Sequence, residues 1–98
     1  MKNVIAKSTL RKFWEVHPDA QGALESWHAE AKAAQWKSPA DIKAHYGNAS
    51  ILKDNRVVFN ICGNKYRLIV KINYAHEVIR IRFIGTHKEY DSINAETI

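Results

Sequence analysis

The sequence predicts an α+β fold: a small antiparallel β-meander sheet with N-terminal helices packed on one face. Two observations indicate this fold. Apolar residues between Leu10 and Ala34 recur every three or four positions, as on amphipathic helices. After Arg56 they alternate with polar residues, as on strands with one buried face. At 98 residues, without a linker or low-complexity tract, the chain is predicted to be one domain spanning residues 1–98.

A short strand and two helices are predicted for the first third of the chain. Residues 1–6 are apolar around their centre and are predicted to form the first strand. Ser8 is expected to cap a first helix, which ends at His17 because the residue before Pro18 is disfavoured in helical geometry. Asp19 is expected to cap the second helix. The residues expected to face the core are Leu10, Phe13, Trp14, Leu24, Trp27, Ala31 and Ala34.

A brief third helix and a short strand are predicted next. Ser38 provides a cap and Pro39 the first helical position, and the helix is expected to end by Tyr46. Residues 49–52 are predicted to form a short strand, and residues 53–55 have the composition of a turn. The tryptophans are predicted to lie in the core, since their spacing is helical, rather than to stack on bases; these are Trp14, Trp27 and Trp36.

A β-hairpin is the clearest structural signal in the sequence. Two alternating segments flank Gly63 and Asn64, which are expected to occupy a two-residue turn. Pairing across this turn places every pair on a consistent face, as a correct register requires. The predicted pairs are Arg56 with Lys71, Val57 with Val70, Phe59 with Leu68, Asn60 with Arg67 and Ile61 with Tyr66.

The last predicted strand begins at Val78 and ends near Gly85. Its register against the preceding strand stays open by a residue pair, because residues 74–78 contain no clear turn. Alternation predicts that Ile79, Ile81 and Phe83 face the core. The side chains predicted on the other face are Val78, Arg80, Arg82 and Ile84.

The face opposite the helices is predicted to be cationic. Like charges opposite one another destabilise a sheet, and phosphate binding would give a reason to tolerate them. A net charge of +5 and a pI near 9.5 also favour an acidic partner, whether nucleic acid, an anionic membrane or an acidic protein. The alternative is an incidental basic surface. The residues on this face are Arg56, Arg67, Lys71, Arg80 and Arg82, with Asn60 and Asn73.

A group of proton-transfer side chains follows the last strand. Thr86 and Glu89 have the spacing of a capping box, so a short helical turn is expected to begin here. His87 and Tyr90, with Lys88 between them, suit RNA cleavage, in which one group takes a proton from a 2′-hydroxyl and another protonates the 5′-oxygen. The alternative is a surface imidazole and an aromatic that anchors the C-terminal segment.

No metal or cofactor is predicted. The remaining histidines show no ligand spacing with Cys62 or with carboxylate pairs, and the sequence has no Gly-rich phosphate loop. The single cysteine excludes an internal disulfide and fits a reducing compartment. No leader and no apolar run of membrane-spanning length are present, so a cytoplasmic protein without membrane contact is expected.

Three motifs resemble those of the HigB toxins in the RelE/ParE-like superfamily of bacterial toxin–antitoxin systems. They are Trp36–Lys43 (WKSPADIK), Val58–Leu68 (VFNICGNKYRL) and Arg82–Asp91 (RFIGTHKEYD). The resemblance spans nearly the whole chain and implies a RelE-like fold. It also implies an mRNA interferase that cleaves messages, usually on the ribosome, and that is neutralised by HigA, a helix-turn-helix antitoxin.

The resemblance implies functional roles for residues at matching motif positions. These residues are Arg67, Arg82, His87, Lys88 and Tyr90, whereas Arg56, Lys71 and Arg80 are proposed from the cationic face alone. The leading hypothesis is an endoribonuclease in which Arg67, Arg82, His87 and Tyr90 are catalytic and Arg56, Lys71, Arg80 and Lys88 bind RNA. The alternatives are a non-catalytic toxin of the ParE-like branch that inhibits a protein target, and a passive RNA-binding module.

Overall fold

The computed structural model describes residues 1–98, which form five strands, four α-helices and one 3₁₀ turn. The strands lie in one sheet. In chain order the elements are β1 (Asn3–Ile5), α1 (Lys7–Val16), the 3₁₀ turn (Pro18–Ala20), α2 (Gln21–Ala33), α3 (Pro39–His45), β2 (Ser50–Ile51), β3 (Arg56–Ile61), β4 (Tyr66–Asn73), β5 (Val78–Thr86) and α4 (His87–Asp91).

The sheet has the strand order β1-β5-β4-β3-β2. Strands β2 to β5 form a continuous antiparallel meander, and β1 lies parallel to β5 at the edge. The α+β class, the meander, the first strand and the short strand β2 are therefore confirmed. Strands β1 and β2 lie at opposite edges of the sheet. Helices α1, α2 and α3 form the connection between them and therefore occupy the first half of the sequence.

The β3–β4 hairpin has the predicted register. All five predicted pairs are present, from Arg56 opposite Lys71 to Ile61 opposite Tyr66. Gly63 and Asn64 occupy the central positions of the turn, which is closed by the Lys65 amide donating to the Cys62 carbonyl oxygen at 3.2 Å. Gly63 has a φ of +67°, a conformation that costs glycine little.

A β-bulge in β5 makes the faces predicted for Phe83 and Ile84 wrong. Val70 pairs with Ile81, but Ile69 pairs with Phe83, so Arg82 is an extra residue on β5. An added residue reverses the alternation beyond it. The Phe83 side chain therefore shares a face with Ile69, and Ile84 packs against the core in place of Phe83.

Phe83 constrains its neighbour Gly85 on the same face. A Cβ atom on Gly85 would lie 2.5 Å from Cζ of the Phe83 ring, which is closer than carbon atoms approach without a clash. The absence of a side chain at position 85 therefore lets the ring lie against the strand just before α4 begins.

Two predicted helix caps are wrong, and the third, Ser38, has the predicted N-cap position but makes no side-chain capping bond. Helix α1 begins at Lys7, so Ser8 lies within it and makes no cap. Asp19 lies in the 3₁₀ turn before α2, where its Oδ1 accepts a hydrogen bond from the Tyr66 hydroxyl at 2.7 Å. The Asp19 side chain therefore bonds Tyr66, which is distant in the sequence, instead of capping α2 as the local pattern predicted. Helix α1 ends before Pro18 and α3 begins at Pro39, as predicted.

The core lies between the three N-terminal helices and one face of the sheet. The prediction that the tryptophans belong to the core is confirmed: Trp27 and Trp36 are buried, and Trp14 is half-buried against the same cluster. Trp27 meets the ring of Phe59 edge to face, with 5.4 Å between centroids. The other large buried side chains are Leu10, Leu24, Ile42, Val57, Leu68, Val70, Ile72 and Ile79.

The opposite face of the sheet is covered at its centre. Val58 and Ile69 form a cross-strand pair on this face, yet their exposed fractions are only 3% and 0%. Helix α4 packs against β4 and β5, and the Ile98 backbone oxygen accepts hydrogen bonds from Arg56 on the same face. We infer that α4 and residues 92–98, which we call the C-terminal strap, exclude solvent from this pair.

This small second core gives a stability prediction. Ile69→Ala should reduce the free energy of unfolding by about 2–5 kcal/mol, the usual cost of truncating a buried isoleucine. Val16→Ala is the control, because Val16 is 74% exposed and its truncation should change stability by less than about 0.5 kcal/mol. Urea unfolding of both variants measures the difference. Equal, small effects would show that the strap leaves Ile69 in water.

Candidate functional site

A basic groove of about 760 Å³ lies beside the turn that joins β4 to β5, on the face opposite the N-terminal helices. Its polar lining consists of cationic, imidazole and amide side chains, and no carboxylate lines it. Such a composition suits an anion with several oxygen atoms. The polar lining residues are Asn55, Lys71, Asn73, His76, Arg80 and Arg82.

Lys71 and Arg80 stand opposite each other on neighbouring strands, an arrangement that like charges normally destabilise. Asp54 compensates part of this charge: its Oδ2 lies 3.3 Å from Lys71 Nζ and 2.8 Å from Arg56 Nη1. Arg80 makes no hydrogen bond or ion pair within the chain and is exposed. It is therefore the groove cation that is most available to a ligand.

Arg56 and Arg82 hold the end of the C-terminal strap. The Ile98 backbone oxygen accepts from Arg56 Nε at 3.1 Å and Nη2 at 2.9 Å, and from Arg82 Nε at 3.3 Å. Arg56 is only 6% exposed and also bonds Asp54. Of the residues predicted to bind RNA, Arg56 is thus the one whose guanidinium is already fully engaged inside the protein.

The second group of predicted site residues lies where β5 passes into α4. The capping box is present: Thr86 Oγ1 accepts from the Glu89 amide at 3.1 Å, and Glu89 Oε1 accepts from the Thr86 amide at 2.8 Å. These bonds to the Thr86 residue lower the pKa of Glu89. They also fix the start of α4, which presents His87 and Tyr90 on its surface.

Tyr90 on α4 and Arg67 on β4 are neighbours. The Arg67 guanidinium carbon lies 5.8 Å from the centre of the Tyr90 ring, within cation–π range. Arg67 Nη1 also donates to the Asn64 carbonyl oxygen at 3.0 Å. The arginine is therefore held beside the tyrosine. Lys88, two residues before Tyr90, is exposed and its side chain makes no bond within the chain.

Sequence reasoning missed the partner of His87. His87 Nδ1 lies 3.2 Å from Asp91 Oδ2, and both side chains are more than half exposed. If Nδ1 carries the ring proton, it donates a hydrogen bond to the Asp91 carboxylate. Nε2 then has a free lone pair toward solvent. That is the form in which an imidazole accepts a proton. The four-residue helical spacing of the two residues was the signal that could have identified the pair.

The structure brings the predicted residues together as two groups rather than one pocket. Lys71, Arg80 and Arg82 line the groove, whereas Arg67 lies beside Tyr90. Arg67 and Lys71 are four residues apart on β4, which corresponds to about 13 Å at about 3.3 Å per residue. The groove also contains His76, a second imidazole that the sequence did not single out.

Two further features bear on the kind of protein. The chain has no cluster of three or more His, Cys, Asp or Glu residues that could hold a metal ion. None of its helices has both the length and the apolar content needed to cross a membrane.

The sheet, the N-terminal helices and the basic open face together define a RelE-like toxin fold. A family model described as HigB_toxin, the RelE-like toxic component of a toxin–antitoxin system, matches residues 20–93. The chain therefore belongs to the HigB toxin family. Membership in this family implies that an antitoxin partner exists.

Curated relatives match along nearly the whole chain. The "mRNA interferase toxin HigB" of Escherichia coli K12 is 27% identical over 95 residues, covering 95% of this chain and 91% of the relative. The "mRNA interferase HigB" of Shigella flexneri matches to the same extent. The protein of the same name from Escherichia coli O6:H1 is 24% identical over 93 residues, covering 93% of this chain and 90% of the relative.

The charge balance at Asp54 gives a testable pH dependence. Hydrogen bonds from Arg56 and Lys71 lower the pKa of Asp54 below its ordinary value of 3.8. The stability that this carboxylate contributes is therefore present above about pH 3.8 and is lost as the pH falls through the lower folded-state pKa. A carboxyl-carbon NMR titration should find the Asp54 midpoint below 3.8, and Lys71→Gln should move it upward. A wild-type midpoint at or above 3.8 would contradict the arrangement.

Proposed function

We propose that this chain is an mRNA interferase, an endoribonuclease that cuts messenger RNA on the basic face of its sheet. The observation that carries the proposal is the groove in which Lys71, Arg80 and Arg82 converge with no lining carboxylate. The name shared by the curated relatives supports the same activity.

The groove cations are proposed to bind the RNA backbone. Phosphate oxygens accept charge-assisted hydrogen bonds from guanidinium and ammonium groups, and these bonds are roughly twice as strong as neutral ones. Arg80 is free to make them, and Lys71 would exchange its contact with Asp54 for a phosphate. Lys88 would add a contact from α4. In the free protein Arg56 holds Asp54 and the end of the strap.

The proposed reaction uses the 2′-hydroxyl of the RNA as its nucleophile. A base takes the 2′-hydroxyl proton, the 2′-oxygen bonds to phosphorus, and the bond from phosphorus to the 5′-oxygen breaks as that oxygen receives a proton. The products are a 2′,3′-cyclic phosphate and a 5′-hydroxyl. Because the substrate supplies the nucleophile, the step needs no metal-activated water.

His87 is proposed to transfer protons, with Asp91 orienting its ring. Tyr90 is proposed to donate a proton or to stack on a base, and Arg67 beside it would stabilise the charge on the phosphorane. Arg82, which lies in the groove, would hold the neighbouring part of the RNA backbone and so position the scissile phosphate. His76 is the competing imidazole for the proton-transfer role, because it lines the groove together with Arg80 and Arg82.

The partner of the toxin is proposed to be a HigA-like helix-turn-helix antitoxin, and the substrate to be ribosome-bound mRNA in the cytoplasm. The basic face, with a net charge of +5 on the chain, suits both an RNA and an acidic protein segment. The alternative, a toxin that inhibits a protein target without cleaving RNA, gains no specific support from the groove.

Expression of the chain alone should arrest growth and fragment transcripts. Primer extension before and after induction maps the breaks, and co-expression of the small protein encoded next to the toxin should prevent both effects. An Arg80→Gln/Lys71→Gln variant that folds normally is the control and should arrest growth less, because it loses two groove cations. Growth arrest with intact transcripts would instead favour a protein target.

The two histidines can be separated by single-turnover cleavage. If His87 transfers protons, His87→Gln should lower the cleavage rate about a hundred- to ten-thousand-fold while RNA binding stays nearly unchanged. His76→Gln is the matched control and should keep the wild-type rate. Arg82→Ala should weaken both binding and rate, and Tyr90→Phe separates the hydroxyl from the ring. A wild-type rate for His87→Gln with a slow His76→Gln would transfer the role to His76.

A further inference from the structure

The end of the C-terminal strap, residues 92–98, is held by the buried Arg56 and by Arg82, which lines the groove. Three guanidinium N–H groups converge on one acceptor, the Ile98 backbone oxygen, at 2.9–3.3 Å. The Nε and Nη2 edge of Arg56 is the fork that elsewhere binds carboxylate or phosphate oxygens in pairs. A single carbonyl oxygen uses this fork incompletely.

The other attachments of the strap are weak or local. Glu96 and Lys53 form an ion pair at 3.5 Å, but both side chains are largely exposed, and such pairs contribute little. Asn94 organises the turn inside the strap: its Oδ1 accepts from the Glu96 amide at 3.0 Å, and its carbonyl oxygen accepts from the Thr97 and Ile98 amides at 3.1 and 3.0 Å. The strap is thus a small unit with its own internal bonds, and besides the two arginines it is held by its contact with the Val58 and Ile69 pair that it helps to cover.

We infer that the strap is an intramolecular competitor of RNA: its Ile98 oxygen occupies the Arg56 and Arg82 donors that an RNA phosphate takes when it binds. The inference rests on the proposed function. A phosphate offers several acceptor oxygens to two arginines that now share one oxygen, so both guanidinium groups can bond more completely to RNA than to the strap. Bound RNA would then span the groove and the Tyr90 end without interruption.

Competition lowers the affinity of the resting protein for RNA. A ligand that binds only when the strap is open has its apparent affinity reduced by the open fraction. Loosening the strap without changing the charge should therefore strengthen RNA binding. Asn94→Ala does this, because it removes the side-chain acceptor of the strap turn. Asn48→Ala is the matched control, since Asn48 is exposed and its side chain makes no hydrogen bond.

The test uses the full chain and a short single-stranded 2′-O-methyl oligonucleotide, which cannot be cleaved because its 2′-oxygen carries no proton. Asn94→Ala should bind it about fivefold more tightly than wild type or Asn48→Ala at the same salt concentration. In the wild type, NMR hydrogen exchange at the Thr97 and Ile98 amides should accelerate as the oligonucleotide binds.

Two outcomes would overturn the inference. One is binding with unchanged or slower exchange at Thr97 and Ile98 and with equal affinity for all three proteins. The other is no binding of the oligonucleotide at all. In both cases the proposed function is judged separately by transcript cleavage after induction, so the two failures remain distinguishable.

Discussion

The pairing of β4 with β5 is the constraint on which the rest of the structure depends. These two longest strands lie at the centre of the sheet, and one bulge at Arg82 shifts their register. Without the bulge, Ile84 would point away from the core, and α4 would start on the wrong side of the strand. With it, the same strand buries Ile79 among the helices and still sends Arg80 and Arg82 to the groove.

The positive charge on the sheet face opposite the N-terminal helices is tolerated because a carboxylate compensates it at one end and water solvates it at the other. Asp54 neutralises the end of the face where Arg56 is buried and leaves Arg80 unpaired in the groove. A buried arginine requires a partner, because an uncompensated buried charge is costly. An exposed arginine does not require one, since water solvates it. The same side-chain type is thus bound within the protein at one position and free to meet a ligand at the other.

The sequence was sufficient for the fold and for the basic composition of one face of the sheet, for reasons that differ by element. The hairpin register could be predicted because its turn and both alternating segments agree. The bulge could not, since an inserted residue leaves the composition of a strand unchanged while it reverses the faces, as Phe83 and Ile84 demonstrate. Asp19 resembled a helix cap because its real partner, Tyr66, lies 47 positions away. The strap has no periodicity, so nothing in residues 92–98 indicated that they cover the sheet.

The contact between Phe83 and Gly85 has a consequence for mutational surveys. A substitution at position 85 that introduces a side chain must push the Phe83 ring away from the strand, next to the residues that begin α4. In a survey scored by survival of host cells that express the toxin, substitutions at position 85 would therefore score like substitutions at the proposed histidine and arginine site residues. Gly85 itself has no side-chain atom that could act on a substrate. Its intolerance would report how much space the backbone needs there, and a chemical role should not be assigned to it from such scores.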